Sequence, residues 1–254
     1  MLKENTPTHR LTDTVRWSKH TRVIPVFMQI FSDEPERRSE VFAYKKLILS
    51  ALEQWQEASM GLVILMPVEE PTPLMIKITL QTCSGPANSQ CQRKINSLYE
   101  IGISEIEIGV PKQSPSATDF SETEIFRLLL HEVGHALGLG HSKNPKDAMS
   151  INPDAHSLSL DDRCALIWNY RLPAGMSLDM IAMNNNAPLP DTLFDLLPVL
   201  DRWYWDLMGG DLAVLTILKD ADTPIPSDIS SLQYQQFLAC RSAKINIVGQ
   251  LPKH

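Results

Sequence analysis

The sequence predicts an α+β fold built from short strands and amphipathic helices. Residues 23–30 alternate and are rich in β-formers, and a helical pattern follows them from Ser39. Short apolar runs bounded by Pro or Gly come next, and a helix-start signal at Ser121 opens a second helical pattern. Strands and helices are therefore both expected in the part of the chain before residue 172.

Five segments have the length and composition of strands. Each is a short apolar or alternating run, and most are bounded by turn-forming residues. They are Val23–Ile30, Leu62–Met66, Met75–Leu80, Lys94–Tyr99 and Ile106–Val110. In the last, Glu105 and Glu107 alternate with the apolar residues, which indicates one buried face.

The first predicted helix begins at Ser39 and ends near Trp55. Its apolar residues recur at steps of three and four, so they form one stripe along the helix. The stripe consists of Val41, Tyr44, Leu47, Ile48, Ala51, Leu52 and Trp55.

Two further helices carry capping signals. In the first, Ser121 and Glu124 fit a capping box, in which each side chain satisfies a free amide at the helix start. Gly138 can take a positive φ and end that helix. The second is opened by Ser159, with Asp162 three residues later.

Charge and hydropathy exclude two classes of partner. The chain has 23 basic and 30 acidic residues and a net charge of −7, so it lacks the cationic surplus that nucleic acid or an anionic membrane selects. The longest apolar stretch, Gly61–Val68, has strand length and cannot span a membrane. Residues 1–20 are polar and contain no apolar signal region, which predicts a cytoplasmic protein. Secretion by another route, or of a processed form, stays open.

The chain divides into three predicted parts: an amino-terminal segment, residues 1–22; a central α+β domain, residues 23–172; and a helical extension, residues 173–254. From Pro173 onward there are five basic residues, nine aspartates and no glutamate. Helical patterns cover residues 194–207 and 212–218. This composition indicates packing or partner contact.

The cysteines leave two alternatives open. Cys83 and Cys91 flank a loop of Ser, Gly, Pro and Asn, so they either form a disulfide in an exported protein or stay reduced in the cytosol. The four cysteines include no C-x-x-C pair, so a cysteine zinc site is not expected.

The run at residues 131–141 contains three histidines at metal-ligand spacing. It reads His-Glu-Val-Gly-His-Ala-Leu-Gly-Leu-Gly-His. His131 and His135 lie four residues apart, on one face of a helix, so both imidazoles can bind one ion. His141 would face away if the helix continued, but a turn at Gly138 lets the chain return and supply the third nitrogen. The spacing predicts one zinc ion with an open fourth position.

Glu132 is the candidate general base of this site. It follows a ligand directly and can hold a zinc-activated water, take its proton during attack on a carbonyl group and pass that proton to the departing amine. The sequence therefore predicts a zinc-dependent peptidase acting on protein or peptide. Two alternatives stay open: a catalytically silent zinc-binding interaction module, and an amidohydrolase of small peptides.

The motif H-E-x-x-H-x-x-G-x-x-H resembles the zinc signature of the metzincin metallopeptidases, and the matrixin-like branch in particular. Ser142 directly follows the third histidine, as in matrixins, and Met149 matches the methionine of the Met-turn beneath the metal. The resemblance gives Asp161 the role of tying the last helix to that turn. It covers roughly residues 17–171.

The resemblance implies a twisted, mixed, five-stranded sheet with two long helices behind it and a small subdomain after Gly138. Substrate would add to an antiparallel edge strand near Lys94–Tyr99. No propeptide cysteine switch occurs, and the His- and Asp-rich loop of animal matrixins is missing. A single catalytic zinc is therefore expected, and calcium is unsupported.

Overall fold

The computed structural model describes residues 13–30, 38–83, 88–111, 122–152 and 155–200. Strands and helices alternate irregularly along these ranges. In chain order they are β1 (Arg16–Trp17), β2 (Val23–Ile30), α1 (Arg38–Ala58), β3 (Ile64–Val68), β4 (Met75–Cys83), β5 (Asn88–Ile95), β6 (Glu100–Pro111), α2 (Glu122–Ala136), α3 (Leu160–Arg171), α4 (Leu178–Asn184) and the 3₁₀ helix Leu193–Leu196.

One mixed sheet contains all of the described strands. Its order is β1-β6-β4-β2-β3, and these five strands are parallel, whereas β5 pairs with β6 in the antiparallel direction. The predicted α+β class with a mixed sheet and an antiparallel edge strand is confirmed. The sheet has six strands rather than five. The additional strand, β1, spans only Arg16–Trp17, which is too short to show a period of two in the sequence.

The edge strand starts earlier than its sequence pattern suggested. It covers Asn88–Ile95, whereas Lys94–Tyr99 was expected. Asn96 builds a turn instead, because its side-chain oxygen accepts the amides of Leu98 and Glu100 at 2.8 and 3.0 Å. Tyr99 closes that turn with φ at 59°. The β-forming composition of this stretch therefore belongs to a turn with exposed apolar side chains.

Helices α1 and α2 pack against each other and against the sheet, with α1 on β2 and β3 and α2 on β5 and β6. Two fully buried indoles fix this arrangement. Trp55 Nε1 donates to the carbonyl oxygen of Leu130 at 2.8 Å, and Trp17 Nε1 donates to that of Ala136 at 2.9 Å. Both acceptors belong to α2, so α1 and β1 set its position. None of the helices in the described ranges is long and apolar enough to cross a membrane.

Residues after α3 fold back onto the same core. The amide of Thr14 donates to the carbonyl oxygen of Met176 at 3.0 Å, and the amide of Gly175 donates to that of Thr14 at 2.8 Å. Apolar side chains of this stretch are buried: Leu178, Ile181, Leu193, Leu196 and Leu200. A domain boundary at residue 173 stays a prediction, and the helical pattern at residues 212–218 lies outside the described residues.

Candidate metal centre and active site

Helix α2 carries two of the three motif histidines. It ends at Ala136, and the amide of Gly138 then donates to the carbonyl oxygen of His135 at 2.9 Å. Gly138 has φ at 104°, and a Cβ atom at this position would overlap the carbonyl oxygen of Val15. Only glycine fits both the backbone conformation and the space. The chain turns back here, as the motif predicted.

The turn brings the three imidazoles together. Nε2 of His135 lies 3.0 Å from Nε2 of His131 and 3.1 Å from Nε2 of His141. The three residues form the one group among the described residues whose ligand atoms could jointly hold a metal ion. The predicted cap at Ser121, which would start this helix, lies outside the described residues.

The opposite ring nitrogens explain which atoms are free to bind a cation. Nδ1 of His131 lies 2.8 Å from the carbonyl oxygen of Ala148, and Nδ1 of His135 lies 2.9 Å from that of Leu139. A carbonyl oxygen only accepts, so each Nδ1 carries the hydrogen and each Nε2 presents a lone pair. Lone pairs that converge at 3 Å repel one another unless a cation lies between them.

The donor set fits zinc. Tetrahedral bonds of 2.0–2.1 Å from zinc to imidazole place two nitrogens about 3.3 Å apart, close to the separations found here. Burial lowers the pKa of His131 to about 4 and holds the pKa of His135 well below its ordinary value. Both rings are therefore neutral at pH 7, which is the form that binds metal.

Glu132 is buried beside these ligands, with 4% of its surface exposed. Its Oε1 accepts a 2.6 Å hydrogen bond from Ser89 Oγ, and its Oε2 is buried with no hydrogen-bond partner among the described residues. Burial raises the pKa of Glu132 to about 7, and the Ser89 hydrogen bond opposes that rise. Buried polar atoms are nearly always satisfied, so this unpaired oxygen beside the three histidines makes Glu132 a candidate functional residue.

The inner side of β5 faces this carboxylate. Ser89, Cys91 and Arg93 are half-buried, while the residues between them are exposed, as a period of two requires. Burial raises the pKa of Cys91 to about 12, so its thiol stays protonated at neutral pH. The charge of Arg93 contributes to the lowered pKa of His135. Ser89 was not among the predicted site residues, because β5 reads Asn-Ser-Gln-Cys-Gln-Arg-Lys-Ile and shows no alternation of apolar and polar residues.

The alternative of a disulfide between Cys83 and Cys91 is not realised, because the thiol of Cys91 is free. Cys83 ends β4 and Cys91 lies in β5, and these strands flank β6 on opposite sides. Two strand spacings are about 9.6 Å, which exceeds the Cα separation of a disulfide.

Met149 lies beneath the histidine helix and is fully buried. A Cβ atom on Gly134 would overlap its Sδ and would lie 2.7 Å from Cζ2 of Trp55. Gly134 lies between the first two histidines in sequence, so the methionine packs against the helix at the level of the ligands. Its neighbour Ala148 supplies the carbonyl that orients His131.

The carboxylate that ties the last helix to this turn belongs to Asp162, and the role predicted for Asp161 is corrected accordingly. Asp162 Oδ2 accepts the amide of Ala148 at 2.8 Å, and Oδ1 accepts that of Met149 at 3.2 Å. Ser159 is the N-cap of α3, so its capping partner, Asp162, reaches back over the helix start toward the turn. Asp161 is exposed.

A family model described as matrixin matches residues 16–171, which is more than half of the 254 residues of the chain. The chain belongs to the matrixin family. The resemblance to the matrixins predicted from the motif is confirmed.

Individual relatives align with only part of this chain. Macrophage metalloelastase of Rattus norvegicus is 29% identical over 132 residues, which are 44% of this chain and 28% of that protein. Matrix metalloproteinase-25 of Homo sapiens is 44% identical over 59 residues, which are 20% of this chain and 10% of that protein. The aligned part therefore spans less than a third of the length of each of these relatives.

Solved structures give weaker similarities. Myroilysin superposes with a TM-score of 0.32 at 18% identity, covering 55% of this chain and 50% of that chain. Archaemetzincin from Methanopyrus kandleri superposes with a TM-score of 0.36 at 14% identity, covering 59% of this chain and 97% of that chain.

The cytoplasmic location predicted from the amino-terminal residues is wrong. The matrixin relatives that the chain matches are secreted or membrane-anchored extracellular proteases. A polar amino-terminal sequence was therefore an insufficient guide to the compartment.

Proposed function

We propose that this matrixin is a zinc-dependent endopeptidase with Glu132 as general base and acid. The convergence of three imidazole Nε2 atoms at about 3 Å, beside a buried carboxylate, carries this proposal. His131, His135 and His141 hold the zinc ion. Zinc bound there would supply Lewis-acid chemistry, which lowers the pKa of a water molecule to about 7 and polarises a carbonyl group.

Glu132 moves the proton. Ser89 occupies Oε1, whereas Oε2 has no hydrogen-bond partner among the described residues, so Oε2 is the atom that accepts the proton of the attacking water. The same atom then delivers the proton to the nitrogen of the departing amine. Low exposure of the carboxylate keeps bulk water from competing for this proton.

Strand β5 provides the binding edge for substrate. One side of β5 pairs with β6, and no strand of the described ranges pairs with its other side. An extended peptide can add there by main-chain hydrogen bonds, as a further strand of the sheet. Such binding extends along the strand in both directions, which favours cleavage within a chain over removal of terminal residues.

A Glu132→Ala variant of the full chain tests this function. The variant should retain about one zinc ion per chain and lose at least about a hundredfold in turnover of an unstructured protein substrate. Glu122→Ala is the matched control, because Glu122 is an exposed carboxylate in the first turn of the same helix. Unchanged turnover of Glu132→Ala would refute the role of Glu132.

The wild-type protein decides between the alternatives in the same assay. Zinc content without cleavage of any protein or peptide would favour a silent binding module. Cleavage of short peptides alone would favour an amidohydrolase. Cleavage at internal bonds of an unstructured protein supports the endopeptidase.

A further inference from the structure

The stretch that follows α4 contacts the loop that carries the third histidine. Thr192 Oγ1 donates a 2.9 Å hydrogen bond to the carbonyl oxygen of His141. A Cβ atom on Gly140 would lie only 3.0 Å from Cγ2 of Thr192, so the side chain of Thr192 packs directly against the backbone of Gly140. Thr192 and His141 are 51 positions apart in sequence, and nothing in the zinc motif indicates their contact.

The peptide unit after His141 is fixed at both of its polar atoms. Its carbonyl oxygen accepts from Thr192, and its N–H group, which belongs to Ser142, donates to the carbonyl oxygen of Met149 at 2.8 Å. The Met149 turn therefore holds one side of this peptide, and Thr192 holds the other. A peptide bond is planar, so two hydrogen bonds on opposite edges fix its orientation.

His141 depends on this support more than the other two histidines do. His131 and His135 are held by the hydrogen bonds of α2, whereas His141 follows the helix end and a Gly-Leu-Gly stretch. Glycine leaves the backbone conformationally free. The hydrogen bonds of its own peptide therefore help to set the direction of the third imidazole.

The segment Asp191–Leu196 is itself anchored to the loop and the core. Lys143 Nζ lies 2.9 Å from Oδ1 of Asp195 and 3.0 Å from Oδ2 of Asp191. Asp195 Oδ2 also accepts the amides of Asp191 and Thr192, at 2.9 and 3.3 Å. Leu193 and Leu196 are buried in the core. Thr192 is therefore held in place against the loop.

We infer that Thr192 is a positioning residue of the metal centre, and that the segment Asp191–Leu196 acts as a strap holding His141 in its ligating direction. This inference rests on the proposed zinc site. Hydrogen-bond partners outside the ligands commonly change metal affinity by 10- to 100-fold when removed. The strap is such a partner, acting through the backbone of His141.

Thr192→Val tests the inference, because valine has the shape of threonine and lacks the hydroxyl donor. Zinc affinity of the full-length protein is measured by competition with a chromophoric chelator. Thr192→Val should bind zinc about tenfold more weakly than wild type, and Thr192→Ser, which restores the donor, should bind within about twofold of wild type. Thr72→Val is the matched control, since Thr72 also donates to a backbone carbonyl, in the loop between β3 and β4.

Equal zinc affinity of wild type and Thr192→Val would overturn the inference and leave the proposed function intact. Failure of wild type to bind zinc would instead overturn the proposed function. If Thr192→Val does not fold, Asp195→Asn replaces it, because it weakens the contacts that hold the strap against the loop and leaves the Thr192 side chain unmutated. Weaker zinc binding by a folded Asp195→Asn protein supports the strap, and unchanged binding overturns it.

Discussion

Ser89 Oγ donates a 2.6 Å hydrogen bond to Oε1 of Glu132 and so joins the edge strand of the sheet to the helix that carries the histidines. Ser89 pairs in register with Ile108 of β6, which fixes its position along the strand. The hydrogen bond leaves Oε2 as the oxygen available for proton transfer. This hydrogen bond therefore connects the proposed general base, Glu132, to the strand at which substrate is proposed to bind.

Ser89→Ala should lower kcat by about tenfold with little change in KM and no loss of zinc. A hydrogen bond to a charged group contributes about 1.5–3 kcal/mol, and its loss lets the carboxylate rotate away from the reacting position. Ser89→Thr keeps the hydroxyl and should stay near wild type. Gln90→Ala, on the exposed face of the same strand, is the control. A Ser89→Ala enzyme with wild-type kcat would show that Glu132 is positioned by other groups.

Asp162→Ala should destabilise the protein by at least about 3 kcal/mol. The substitution leaves the amides of Ala148, Met149 and Ser159 without their acceptor, and an unsatisfied buried group costs about 1–3 kcal/mol. Urea unfolding of the metal-free proteins measures the change.

Asp161→Ala is the neighbour control for this prediction. Asp161 is exposed in the first turn of α3, so removal of its charge should change the free energy of unfolding by no more than about 1 kcal/mol. A larger effect at Asp161 than at Asp162 would contradict the assignment of the Met149 turn to Asp162.

Site residues that lie close together in sequence could be predicted. Contacts between site residues that lie far apart in sequence could not. Histidines four apart on a helix share a face whatever the surrounding fold, so His131 and His135 follow from spacing alone. Ser89 meets Glu132 across 43 positions, and this contact depends on how β5 is placed in the sheet. A helical period and a strand period carry no information about such pairings.

Errors of one or a few residues have a similar origin. The shift from Asp161 to Asp162 arises because the capping geometry of Ser159, and not the order of the two aspartates, decides which side chain faces the turn. The edge strand was displaced because the side chain of Asn96 closes a turn within a β-forming stretch. In both cases the hydrogen bonds of one side chain override the composition of the segment.

Gly138→Ala should prevent stable folding or cost several kcal/mol. A positive φ costs an alanine about 1–3 kcal/mol, and here the new Cβ atom would also overlap the carbonyl oxygen of Val15. Gly61→Ala separates the two effects, because Gly61 has φ at 82° with no atom within 4 Å of the added Cβ. Gly61→Ala should therefore show the conformational cost alone. Equal unfolding free energies for the two variants would rule out the clash at residue 138.

Removal of zinc should lower the melting temperature of the full chain by about 5–10 °C. A ligand present at about a hundredfold excess over its dissociation constant stabilises the folded state by about 2.7 kcal/mol, and each kcal/mol shifts the melting temperature of a domain of this size by about 2–4 °C. Without the cation, the Nε2 lone pairs of His131 and His135 face each other at 3.0 Å, which adds repulsion.

The protein is first treated with a chelator and dialysed, and its melting temperature is then measured without zinc and after zinc has been added. His135→Ala should abolish the zinc-dependent shift, whereas His156→Ala, at an exposed histidine, should retain it. A zinc-dependent shift that survives His135→Ala would place the metal somewhere other than the three-histidine group.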